Sequence, residues 1–125
     1  VRINLPIIKE RYYDGDGKLV VERGELPVTI DASMLAHLKW EEHFEKQLGV
    51  NLTEYTERVS KWVHNPEEAK LHFLSLLKWL YCYVNSDALP TFIDFVKLFQ
   101  VEVMEESIKK IADVLSEIMK YASKN

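Results

Sequence analysis

The hydrophobic period of this chain changes once, at Asp31, and that change limits the folds open to it. Before Asp31 the apolar residues fall in short extended runs. Ile7-Ile8 and Leu19-Val20-Val21 flank Asp14-Gly15-Asp16-Gly17, whose glycines can take the positive φ of a tight hairpin turn. Leu26-Pro27-Val28-Thr29-Ile30 is predicted as a third short strand, with Pro27 at its start or on an edge. So small a sheet is not stable alone and has to pack against the rest of the chain. After Asp31 the spacing is helical. The expected fold is α+β, mainly α: about five helices with a small N-terminal β-hairpin or sheet. Residues 1–30 form the extended segment and residues 31–125 the helical part of one domain.

Capping chemistry sets the helix ends. Asp31 or Ser33 can cap a first helix that runs to about Gln47, with Gly49 as its stop. A second helix over 52–64 places Leu52, Tyr55, Val59, Trp62 and Val63 on one face. Asn65-Pro66-Glu67-Glu68 then combines an asparagine cap, proline at the first helical position and acids at the positive end of the dipole. The third helix is predicted to run to about Asn85, apolar nearly all round and therefore central. Leu89-Pro90 begins a short fourth helix bearing Phe92, Ile93, Phe95, Val96 and Phe99. In the last helix, from Val103 to Ala122, Met104, Ile108, Ile111, Leu115, Ile118, Met119 and Ala122 share a face. Glu105 to Lys109 and Glu106 to Lys110 make favourable pairs on the opposite side.

Composition removes several functional classes. At 125 residues and 47% hydrophobic, the chain has enough apolar surface for a core without metal or disulfide staples. Its net charge is −4, and the longest basic run is Lys109-Lys110, so no stripe invites nucleic acid. Cys82 is the only cysteine, so no intramolecular disulfide can form, and its apolar neighbours mark it as a core thiol. No hydrophobic run of signal-peptide length opens the chain. The most apolar stretch, residues 73–84, is too short for a bilayer and is broken by Lys78. A soluble cytosolic protein without membrane association is expected.

Motifs for chemistry are weak. Asp14-Gly15-Asp16-Gly17 fails as a calcium loop, because Lys18 and Leu19 occupy the positions that need an oxygen ligand and a glycine. The four histidines form no His-Glu-x-x-His or cysteine-histidine pattern. No metal, cofactor or catalytic residue is therefore expected. His37 and Glu41 lie one turn apart, within the stripe of Met34, Leu38, Phe44 and Leu48. A carboxylate on an apolar face needs a partner, such as Arg11 or Arg23 in the sheet or the surroundings of Lys39, or it anchors an interface.

Aromatic residues are the other surplus: three Trp, six Tyr and five Phe. Rings at helical spacing are core by default. A helix that is apolar on every side, however, needs neighbours on every side, and five helices, two of them short, leave some of that area for another chain. The predicted partner surface comprises Trp79, Tyr83, Phe92, Phe95 and Phe99, with Trp40 and Glu41 on the first helix.

The order of these segments has a parallel. Thr29-Ile30-Asp31-Ala32-Ser33 leads into a helix bearing Trp40-Glu41-Glu42-His43-Phe44. Leu52-Thr53-Glu54-Tyr55-Thr56-Glu57-Arg58-Val59 comes next after a glycine, and then Leu76-Leu77-Lys78-Trp79-Leu80-Tyr81 and Pro90-Thr91-Phe92. Over residues 26–100 this resembles the tail assembly chaperones of long-tailed, siphovirus-type bacteriophages and prophages of Gram-positive bacteria. The resemblance implies a non-enzymatic protein of the host cytoplasm. Such a protein coats the phage tape measure protein until tail-tube subunits replace it, and self-associates as a homo-oligomer. Binding would be of amphipathic helices in a helical groove. Two other readings stand beside it: a small cytosolic interaction module, such as a phage-encoded inhibitor of a host protein, and a hydrolase centred on His37 and Glu41.

Overall fold

The computed structural model describes residues 2–85 and 91–123. Among the described residues it is an α+β fold, mainly α, with six helices and a three-stranded antiparallel sheet. Strand β1 (Arg2–Tyr13) turns back into β2 (Leu19–Ile30), and a two-residue strand β3 (Val84–Asn85) pairs with the end of β2. Helix α1 consists of Met34–Trp40, a π-helical turn Glu41–Glu45 and a last turn Lys46–Leu48. Then come α2 (Leu52–Val63), α3 (Pro66–Leu71), α4 (Phe73–Tyr83), α5 (Phe92–Leu98), a 3-10 turn (Val101–Val103) and α6 (Met104–Ser123).

The hairpin turn forms for the expected reason, with one refinement. Asp14 Oδ1 accepts from the amides of Asp16 and Lys18, each at 2.9 Å. Only Gly17 takes a positive φ, +76°, so it alone of the two glycines meets the left-handed requirement. The strands are much longer than expected. Residues 19–21 and 26–30 belong to one continuous β2, and β1 carries a bulge between Ile8 and Glu10.

The two prolines of the hairpin strands sit at one register parity, Pro27 opposite Asn4 and Pro6 opposite Glu25. A proline has no N–H for the ladder, so these are pairs whose backbone groups point away from the partner strand. Pro6 therefore blunts the free edge of β1, and Pro27 does the same on the opposite edge of β2. The same parity turns Thr29 outward, where it pairs with Asn85, and the Asp31 amide beyond it donates to Tyr83 O at 2.7 Å. The next outward position is Pro27, which has nothing to donate.

Helix ends obey the sequence signals. Ser33 Oγ accepts from the Leu35 amide, Asn65 Oδ1 from those of Glu67 and Glu68, and Gly49 closes α1 at φ +72°. Asn51 and Thr91 cap α2 and α5 in the same way. The third predicted helix is two helices, α3 and α4, meeting at His72. There the imidazole stacks on Trp62, 4.3 Å between centroids, and Nε2 lies 3.3 Å from Glu68. It also ends earlier than expected, because Val84 and Asn85 are extended. The predicted start of the fourth helix at Leu89-Pro90 lies outside the described residues, as does the side chain of Ala122.

The core is one buried cluster to which sheet and helices both contribute. Leu5, Ile7, Leu26, Val28 and Ile30 from the root of the hairpin join α4's Leu76, Leu77, Trp79 and Leu80 and α6's Ile111, Val114, Leu115 and Ile118. Beyond Lys9 the hairpin is largely exposed. It is tied to the 3-10 turn by Arg11 to Glu102 and to the first turn of α6 by Arg23 to Glu106 at 2.9 Å. Exposed ion pairs of this kind contribute about 0–1 kcal/mol each, so they orient the ribbon more than they stabilise it.

Candidate functional site

Most of the described aromatic rings are consumed inside the protein; Tyr12 and Tyr13 at the hairpin end are exposed. Ring contacts run without a break from Trp62 to Tyr55, Trp40, Phe44, Phe92, Tyr81, Phe95 and Phe99, with neighbouring centroids 4.4–5.8 Å apart. Such tilted and edge-on pairs add about 0.5–1.5 kcal/mol each beyond the area they bury. Their polar atoms are satisfied. Trp40 Nε1 donates to Val50 O, Trp79 Nε1 to Thr56 Oγ1 (both 2.9 Å), and Tyr55 OH to Ser75 O at 3.0 Å.

The expectation that Trp79, Tyr83, Phe95, Phe99 and Trp40 form a partner surface is therefore corrected: all five are buried core residues. Phe92 is half-buried between Phe44 and Tyr81. The physical reason is the sheet, whose hairpin root adds a layer that a count of helices alone omits.

Glu41 and His37 also fall elsewhere than predicted. The buried column of α1 is Ala36, Trp40 and Phe44, continued by half-buried Leu48; Met34 and Leu38 face outward and Glu41 is exposed. A column of residues four apart drifts by about 40° per step in an ideal α-helix. The π turn over Glu41–Glu45 rotates less per residue and takes that drift back, so Trp40 and Phe44 remain aligned. Arg11 and Arg23, offered as partners of Glu41, are engaged with Glu102 and Glu106 instead. Neither His37 nor Glu41 lines the groove along α6 described below.

Lys39 occupies the inward position between those turns. Its ammonium donates to Tyr81 O (2.9 Å) and Val84 O (3.1 Å) at the C-terminal end of α4, and lies 4.8 Å from the Tyr81 ring centroid. Carbonyls left over at a helix end are thus satisfied by a cation, which the dipole also favours. Burial holds the Lys39 pKa below its ordinary value, while Cys82 and Asp31 nearby act in the opposite direction. Burial pushes the Cys82 thiol up to about 12, with Lys39 opposing. The thiol is protonated and enclosed, a core group rather than a nucleophile.

A groove runs along α6. One part, about 370 Å³, is lined by Ser60, His64, Leu115, Ser116, Met119 and Lys120. The other, about 300 Å³, is lined by Val63, Pro66, Lys70, Glu105, Ile108, Lys109 and Ala112, and shares His64 with the first. The α2–α3 corner forms one wall and α6 the floor. Lys70 and Glu105 pair at 3.3 Å across one end. Along α6 the apolar contributors are Ile108, Ala112, Leu115 and Met119, spaced 4, 3 and 4 residues apart. That is the spacing of a coiled-coil seam, which accepts knobs from a second helix. Residues 105–120 cover about 22 Å at 1.5 Å per residue, or about four helical turns.

This seam adjoins the core face of the same helix, made by Ser107, Ile111, Val114, Leu115 and Ile118, and shares Leu115 with it. The sequence reading merged the two, because periodicity measures how wide an apolar face is and not how much of it the fold covers. Among the described residues, no three His, Cys, Asp or Glu side chains group to hold a metal ion, and no helix is long and apolar enough to cross a membrane. Comparison with known protein families, curated proteins and solved structures finds no match for this chain.

Proposed function

We propose that this chain is a non-enzymatic helix-binding protein, and that it serves as a phage tail assembly chaperone holding amphipathic helices of the tape measure protein. The observation that carries the reading is the α6 groove: an apolar seam at coiled-coil spacing, about four turns long, walled by α2 and α3. An amphipathic helix set into it would shield its own apolar stripe, which is what an aggregation-prone coiled-coil protein needs before assembly. The resemblance over residues 26–100 supplies the specific partner. It also supplies the rest of the proposal: exchange for the tail-tube protein, homo-oligomers and the host cytoplasm.

Co-expression tests this directly. A tape measure fragment that is insoluble alone should become soluble with the wild-type chain and co-purify with it. Met119→Asp should abolish that rescue while leaving thermal stability nearly unchanged. Met119 is 54% exposed, and substitutions at such sites usually stay within about 0.5 kcal/mol. Absence of rescue by the wild-type chain would remove the chaperone reading. Light scattering over a concentration series reads the self-association, and monomer at every concentration would remove that part.

A further inference from the structure

The groove has a charge that the whole chain does not. The protein carries −4, yet the groove's charged lining is Lys70, Lys109 and Lys120 against Glu105 alone, with His64 at the centre. Glu105 is matched by Lys70 at 3.3 Å, and Lys120 lies 3.2 Å from Glu117 Oε1, outside the groove. Lys109 has no ion pair among the described residues. It stands beside Ile108, at the first apolar position of the seam. Potentials at an interface are complementary, and they select partners and speed encounter more than they add raw affinity.

We infer that the groove's occupant is an amphipathic helix of about four turns whose apolar stripe is flanked by Asp and Glu, and that Lys109 and Lys120 select it over a helix flanked by Lys and Arg. The inference rests on the helix-binding reading of the groove and adds to it the chemistry of the partner. The seam supplies affinity mainly through half-buried Ile108 and Ala112 and exposed Met119, with buried Leu115 as its floor. The lysines supply discrimination, because a basic flank would bring like charges together along both ends of the groove.

Two synthetic amphipathic peptides with one apolar stripe and either Glu or Lys at the flanking positions test this with the full chain. Fluorescence anisotropy should give at least about tenfold tighter binding of the Glu-flanked peptide near 50 mM salt. The gap should narrow to about twofold near 500 mM, where screening shortens the reach of charge. Lys109→Glu with Lys120→Glu should invert the preference; both side chains are exposed, and an unchanged circular-dichroism melt confirms that the variant folds. Equal binding of the two peptides, or a preference for the Lys-flanked one, would overturn the charge selection and leave the groove as a helix site. Binding of neither peptide would overturn the groove reading itself.

Discussion

Replacing Trp79 with alanine should lower the unfolding free energy by about 3–5 kcal/mol, the cost of emptying a large buried aromatic site. Trp79 is fully buried, its ring lies 4.8 Å from that of Tyr83, and its indole N–H is held by Thr56 Oγ1, which itself donates to Leu52 O. The substitution removes ring contacts and leaves that hydroxyl without its indole partner, so the loss is more than transferred area. Urea unfolding should show a lower midpoint with little change in slope. Glu41→Ala in the same assay should be near neutral, because that side chain is exposed. The pair separates core from surface among residues that the sequence grouped together. If Trp79→Ala cost less than about 1 kcal/mol, the description of the α2–α4 contact would be wrong.

Raising the pH should destabilise the fold sharply above pH 9. The Cys82 thiol is pushed from 9.0 to about 12 by burial, so between these values the unfolded chain loses a proton that the folded chain keeps. Stability therefore falls as pH rises through that window. Three units at about 1.4 kcal/mol each give about 4 kcal/mol by pH 12. Tyr55 and Tyr83, both raised by burial, act in the same direction above pH 10. Lys39 acts oppositely: its folded pKa is lowered, so stability grows as pH climbs from that lowered value toward 10.5. Urea midpoints taken from pH 8 to 11 should decline, and Cys82→Ala should flatten the decline. An identical slope in that variant would show that the thiol is not its source.

Local signals carried much of the fold. Ser33 and Asn65 as caps, Gly49 as a stop and the Asp14–Gly17 turn are each satisfied by one or two nearby hydrogen bonds, so a short window of sequence contains them. Features that depend on distant partners were not legible. Val84 and Asn85 form a strand only because Thr29 and Ile30 turn their free edge toward them, and nothing within residues 80–85 encodes that. The phase of α1 is set by a π turn that keeps Ala36, Trp40 and Phe44 in line. The four-residue spacing was in the sequence, but an ideal helical wheel assigned the burial to Met34 and Leu38. The open groove was overlooked for a related reason. Bulky rings at Trp79, Phe95 and Phe99 attract attention by size, whereas Ile108, Ala112 and Met119 look like ordinary core until the packing leaves the first two half-buried and Met119 exposed beside buried Leu115.

The central claim is that α6 and the α2–α3 corner receive a helix. Titrating a synthetic amphipathic helix into the isotope-labelled full chain and tracking backbone amide resonances locates the contact directly. The predicted result is a saturable set of shifts concentrated at Ser60, His64, Ile108, Ala112, Ser116 and Met119. Shifts centred instead on the exposed start of α1, at Met34, Leu35 and Leu38, or on Tyr12, Tyr13 and Leu19 at the hairpin end, would contradict the claim.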